Sequence, residues 1–186
     1  MQKNRRTDTG LTLVEVLVAV ALFTLVSVGA AHMLVWVMRA MWSSGAETIA
    51  LAAAHGKLEE LQSLAWRWDG AGTRVSDLDT NLSGRTPATG GPGLAVSPGN
   101  TLEENVDGYV DYLDERGQWV GTGPSPPTAA AFVRRWQVRA LGSAPDDTLI
   151  FRVLVVPLAN DPAPGRVMSG RAPGESVLTT ARTRVR

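Results

Sequence analysis

The side chain best placed to do chemistry is Glu15, the one formally charged residue between Leu11 and Met38. A carboxylate set into an apolar helix is costly, so it normally takes a partner and serves a purpose. The plainer reading puts it at a membrane interface, four residues past Leu11, where water solvates it. Other chemistry-bearing groups are sparse. His32 and His55 are the only histidines, and both fall on a predicted helix, too far apart to share a metal. Asp77, Asp79 and Asn81 alternate as oxygen ligands do in calcium loops. The loop pattern also needs Gly at its sixth position and Glu at its twelfth, where Leu82 and Ala88 stand, so a solvated turn is the simpler expectation. Asp107, Asp111, Asp114 and Glu115 form a second acidic group, expected to be a charged hairpin face. Arg134, Arg135, Trp136 and Arg139 could make a basic aromatic patch. Strand alternation puts Arg135 and Arg139 on one face and Trp136 with Arg134 on the other, as in a sheet with a polar outer side. No nucleophile elbow, phosphate loop or His-Glu-x-x-His motif occurs, so no enzyme activity, cofactor or metal is expected.

Composition narrows the classes further. The chain has 186 residues, enough for one modest domain and an anchor. Eighteen basic residues balance eighteen acidic ones, so no bulk field draws the protein to nucleic acid, which is not an expected partner. There is no cysteine, which excludes disulfides, thiol catalysis and thiolate metal sites. It does not exclude export, since a domain of this size is stable without covalent staples.

These groups are positioned by a simple succession of elements. Residues 1–10 are polar and basic, with Lys3, Arg5 and Arg6 ahead of the apolar run. By the positive-inside rule these charges stay in the cytoplasm and the rest of the chain lies outside. Residues 16–38 would make a helix ~34 Å long at 1.5 Å per residue, enough for a hydrocarbon core of about 30 Å. Arg39 ends the run, and Trp36 and Trp42 flank it as interfacial anchors. A cleaved secretory signal is the competing reading, with Gly29-Ala30-Ala31 as its small-residue site. Beyond the span, Leu51, Ala54, Leu58, Leu61, Ala65 and Trp68 recur at helical steps, with Lys57 and Glu60 off that stripe. One helix from Leu11 to Trp68, bent near Gly45 and ended by Asp69-Gly70-Ala71-Gly72, is predicted. Residues 84–100 read as an irregular loop. A hairpin is predicted around Asp114-Glu115-Arg116-Gly117, followed by strands over 132–140, 148–156 and 176–185. The expected divisions are 1–10, a transmembrane helix 11–39, its amphipathic continuation 40–68, and a β-rich domain 69–186. Helix followed by strands implies an α+β fold, with the long helix packed on an antiparallel sheet.

Taken together, Gly10-Leu11-Thr12-Leu13-Val14-Glu15 after a basic leader and before an apolar helix resembles the prepilin signal of type IV pilins and type II secretion pseudopilins. The runs LTLVEVLVAVALFTL, AAAHGKLEELQSLAW and FVRRWQVRAL are most similar to PilV-type minor pilins, with secretion pseudopilins close behind. The resemblance implies a pilin-like fold and removal of residues 1–10 by cleavage between Gly10 and Leu11. It also implies N-methylation of Leu11 and a need for Glu15 in assembly. Leu11 stands where the family prefers Phe. His32 stands where major pilins often carry Pro, and the disulfide loop of many major pilins is impossible here. Both of the latter departures favour a minor subunit. Cleavage would leave an α-amine on Leu11, positive below its pKa of ~8. That amine and Glu15 of a neighbouring subunit would relieve each other's cost in lipid and fix the axial offset between two apolar helices. The implied function is a minor pilin that joins or primes a type IV pilus. A minor pseudopilin of a secretion or competence system is the alternative, and a periplasmic domain on an uncleaved anchor is a third reading. The implied partners are other pilin or pseudopilin subunits, the prepilin peptidase and methyltransferase, and the inner-membrane assembly platform. The implied location is the bacterial inner membrane, crossed once with the C-terminal domain in the periplasm, and then the filament.

Overall fold

A computed structural model describes residues 12–161 and 172–186. They divide into two compact units, the first ending at Trp42 and the second beginning at Ser43. A single helix, α1 (Leu13–Ser63), enters both. It persists because its 51 residues include no proline and are dominated by Ala, Leu and Val. Gly29, Gly45 and Gly56 lie within it without ending it.

In the first unit every described side chain of α1 is exposed. This part of the helix is long and apolar enough to cross a membrane. In the second unit, Ala50, Ala54, Lys57, Leu58 and Leu61 are buried. The stripe is therefore rotated from the expected one. Leu51 is 48 % exposed, and Lys57, expected on the solvated side, is 1 % exposed.

The helix also stops at Ser63 rather than Trp68. Trp66–Trp68 form β1, which pairs antiparallel with β2 (Arg74–Ser76). Asp69-Gly70-Ala71-Gly72 is thus the turn of a hairpin and not a helix stop. The Asp69 carboxylate accepts the N–H groups of Ala71 and Thr73, and Gly72 N–H closes onto Asp69 C=O. Two aromatic residues flanking Arg67 favour a strand over a helix, and this local preference wins. A second small pair joins β3 (Thr80–Asn81) to β4 (Ala88–Thr89), the latter inside the region 84–100 expected to be an irregular loop.

The main sheet has five antiparallel strands in the order β6-β5-β7-β8-β9. They are β5 (Val110–Leu113), β6 (Trp119–Thr122), β7 (Phe132–Leu141), β8 (Ala144–Pro157) and β9 (Ser176–Thr183). The β5–β6 hairpin turns at Asp114–Gly117, where Asp114 accepts the N–H groups of Arg116 and Gln118. Gly117 sits at φ 77°, and a Cβ there would lie 3.1 Å from Ile49 Cγ2, so both conformation and space call for glycine.

The core lies between the second half of α1 and the sheet face carrying Phe132, Trp136, Val138, Phe151, Val153 and Val155. The architecture is α+β, a long N-terminal helix packed with an antiparallel sheet. The opposite sheet face is not simply polar. Val110, Tyr112, Val133 and Val156 cluster there with Ala172. Arg135, on the same face, is 4 % exposed. Its guanidinium forms a two-pronged bond to Asp161 at 2.8 and 2.7 Å and reaches Asn105 Oδ1. Just past β9, Arg184 stacks 3.5 Å from the Trp66 ring centre and donates to the carbonyls of Arg67 and Val75. Burial lowers its pKa from the ordinary arginine value. This contact holds the β1–β2 hairpin to the end of the sheet.

Candidate functional site: the helix start and the buried charges beneath the helix

The start of α1 is organised by two residues. Glu15 N–H donates to Thr12 Oγ1 at 3.3 Å, while Thr12 N–H and the Thr12 hydroxyl donate to Glu15 Oε2 at 2.8 and 3.0 Å. This is a reciprocal capping box, in which each side chain satisfies a backbone donor that the first turn leaves unpaired. The carboxylate also lies where the positive end of the helix dipole favours it. Both Thr12 bonds fall on Oε2, and Oε1 has no hydrogen-bond partner among the described residues. Glu15 is therefore oriented by its own helix, with one oxygen left to accept a further donor. The signal for this was present in the order Thr12-x-x-Glu15 ahead of an apolar run.

The remaining expected positions fall as follows. Lys3, Arg5, Arg6, Gly10 and Leu11 lie outside the described residues. Trp36, Arg39 and Trp42 are exposed on α1, at steps of three residues that keep them near one side. His32 is exposed, and His55 Nδ1 lies 3.4 Å from Glu59 Oε1, one turn along the same helix. The carboxylate of Asp77 accepts Thr80 N–H and the Thr80 hydroxyl, and Asn81 Oδ1 accepts Ser83 N–H and its hydroxyl. These oxygens hold the local chain. Asp79 contributes its N–H to Asp77 at 3.4 Å.

One member of the acidic group and three of the basic patch are drawn into internal contacts, while Asp107, Glu115 and Arg139 stay exposed. Asp111 is fully buried, not part of a charged outer face. It receives a two-pronged bond from Arg134 at 2.8 and 2.7 Å, and Lys57 Nζ lies 3.3 Å from its Oδ2. Lys57 also pairs with Glu60 at 2.8 Å, donates to the Leu82 carbonyl, and sits 4.4 Å from the centre of the Trp136 ring. Arg134 donates further to Ala53 C=O of α1. Two cations, two carboxylates and an aromatic face thus join helix to sheet. Every charged group is paired, which is the condition for tolerating buried charge. Of the basic patch, Arg134, Arg135 and Trp136 are committed to these internal contacts. Sequence reasoning missed Lys57 and Asp111 because isolated lysine and aspartate default to the surface. That Lys57 is one of only two lysines in the chain was the available hint.

Residues 5–31 match the family described as the prokaryotic N-terminal methylation motif. Comparison with curated proteins and with solved structures finds no match to either. The motif contains Arg5, Arg6, Gly10, Leu11 and Glu15 and runs into the exposed apolar half of α1. The matched segment is a leader of the type IV pilin and pseudopilin type. Such a leader implies processing by a prepilin peptidase and assembly with other pilin-type subunits.

Proposed function

We propose that the protein is a minor subunit of a type IV pilus, processed between Gly10 and Leu11 and methylated on Leu11. The observation that carries this reading is the methylation motif over residues 5–31, continuous with a helix long and apolar enough to cross a membrane. In this reading residues 1–10 are the leader, with Lys3, Arg5 and Arg6 holding it in the cytoplasm. Trp36, Arg39 and Trp42 anchor the far interface, and the second unit lies in the periplasm. Helices of neighbouring subunits then pack against the exposed apolar surface of α1.

Glu15 sets the register. Thr12 holds one carboxylate oxygen, and the other accepts the Leu11 amine of an adjacent subunit. The pair offsets the cost of each charge in lipid and disfavours any other axial offset of two otherwise featureless helices. No step of this assembly requires catalysis by the chain itself. A minor pseudopilin of a secretion or competence system would use the same groups with a different set of neighbours.

The test is the intact mass of the protein purified from its host, with and without the prepilin peptidase. The expected outcome is loss of residues 1–10 and one methyl group on the new N-terminus only where the peptidase is present. An identical, unprocessed N-terminus in both strains would overturn the proposal.

A further inference from the structure

On the sheet face away from α1, three polar side chains converge. The β7–β8 register places Arg152 directly across from Gln137, with Arg139 two residues further along β7 on the same face. The segment 96–103 closes over them. It is clamped at Ser97, whose N–H and hydroxyl donate to Val138 C=O and whose Oγ accepts Val138 N–H at 2.6 Å. Asn100 then turns the chain at φ 67°, and its carbonyl accepts the N–H groups of Glu103 and Glu104. The result is a cavity of about 540 Å³ whose lining includes Ser97, Asn100, Glu103, Gln137, Arg139 and Arg152.

Its two arginines differ from their neighbours on the sheet. Arg134 and Arg135 are paired with acids, and Arg182 and Arg184 with carbonyls. The side chains of Arg139 and Arg152 make no hydrogen bond or ion pair among the described residues, although the chain carries as many acids as bases. Glu103, exposed on the same lining, forms an ion pair with neither among the described residues.

We infer that this cavity binds an acidic segment of another protein, one that presents two carboxylates within a few residues. Two guanidinium forks match planar carboxylates. The carboxamides of Asn100 and Gln137 offer both donors and acceptors to a peptide backbone. The lining holds no aromatic ring on which a sugar or a nucleobase would stack. The inference stands apart from the filament reading, because it uses only groups of the second unit.

The experiment is a titration of the full chain in neutral detergent with acetyl-Glu-Asp-Glu-amide, and in parallel with acetyl-Gln-Asn-Gln-amide and with sodium sulfate. Saturable binding of the acidic peptide is expected, weakened by added salt and by about tenfold or more in each of Arg139→Gln and Arg152→Gln. Both variants should melt with the parent protein, since neither guanidinium has an internal partner. Amide signals of the parent protein should shift over residues 97–103, 137–140 and 152. The inference is overturned by equal binding of the neutral peptide, by sulfate competing as well as the acidic peptide, or by unchanged affinity in the double variant. Peptide-induced shifts confined to other parts of the protein would overturn it as well, even if a variant failed to fold.

Discussion

Replacing Asp111 with asparagine keeps the side chain's shape and removes its charge. In the native protein this carboxylate is fully buried and serves both Arg134 and Lys57. The amide would accept from one cation and turn an N–H₂ toward the other, so two donors would compete for one oxygen. Removing one member of a buried ionic group costs about 3–5 kcal/mol, because the opposite charge stays behind uncompensated. Here Lys57 keeps Glu60 at 2.8 Å and Arg134 keeps Ala53 C=O, which places the expected loss at the lower end. About 3 kcal/mol corresponds to a fall in Tm of roughly 6–12 °C for a domain near 150 residues. Thermal and urea unfolding followed by tryptophan fluorescence would measure it, since Trp136 lies directly beside Lys57. Lys57→Met should cost less, because Asp111 retains its two-pronged bond to Arg134. A change within about 0.5 kcal/mol for Asp111→Asn, as for an ordinary surface substitution, would refute the claim that this group couples helix to sheet.

Glu15→Ala should leave membrane insertion intact and reduce filament incorporation to a small fraction, read by immunoblot of sheared filaments against membranes. Normal incorporation would remove the register argument without touching the second unit. Alkaline pH gives a further test. Burial raises the pKa of Tyr109 and Tyr112, the only tyrosines in the chain, above the ordinary value, and for Tyr112 the nearby Arg135 partly opposes this. The unfolded chain therefore loses its phenolic protons first. The tyrosine contribution to stability is present below the ordinary pKa of ~10 and is lost as pH climbs through and beyond it. Phenolate absorbance should lag behind that of the urea-unfolded protein; coincident titration curves would contradict the burial.

The long helix and the last three strands were legible because their signals are local. Proline is absent over residues 13–63, and β7, β8 and β9 alternate or run aliphatic over eight or more residues. The period of the helix could not fix its end, because Ala65 and Trp68 happen to continue it while Trp66 and Trp68 also alternate as a strand. The choice was decided by pairing with Arg74–Ser76, which no helical periodicity reveals. The motif around Gly10 and Glu15 was readable from residue types and order. The capping role of Thr12 was not read there, although its three-residue spacing to Glu15 carried the signal. The Lys57–Asp111 contact was not readable, since it joins residues far apart in sequence and each is of a type that normally seeks water. The same holds for Arg135 and Asp161, which give the second face of the sheet a buried charge where alternation alone suggests a wet surface.

The knot of charge beneath α1 also has a mechanical meaning. A pull on the N-terminal end of the helix, directed along its axis, would not peel residues 50–61 from the sheet one at a time. It would have to slide them together, breaking the contacts of Lys57 and the Arg134 grip on Ala53 C=O at the same moment. Shear of that kind resists load better than unzipping, so a short run of ionic contacts lets a slender helix act as a tether for the whole β domain.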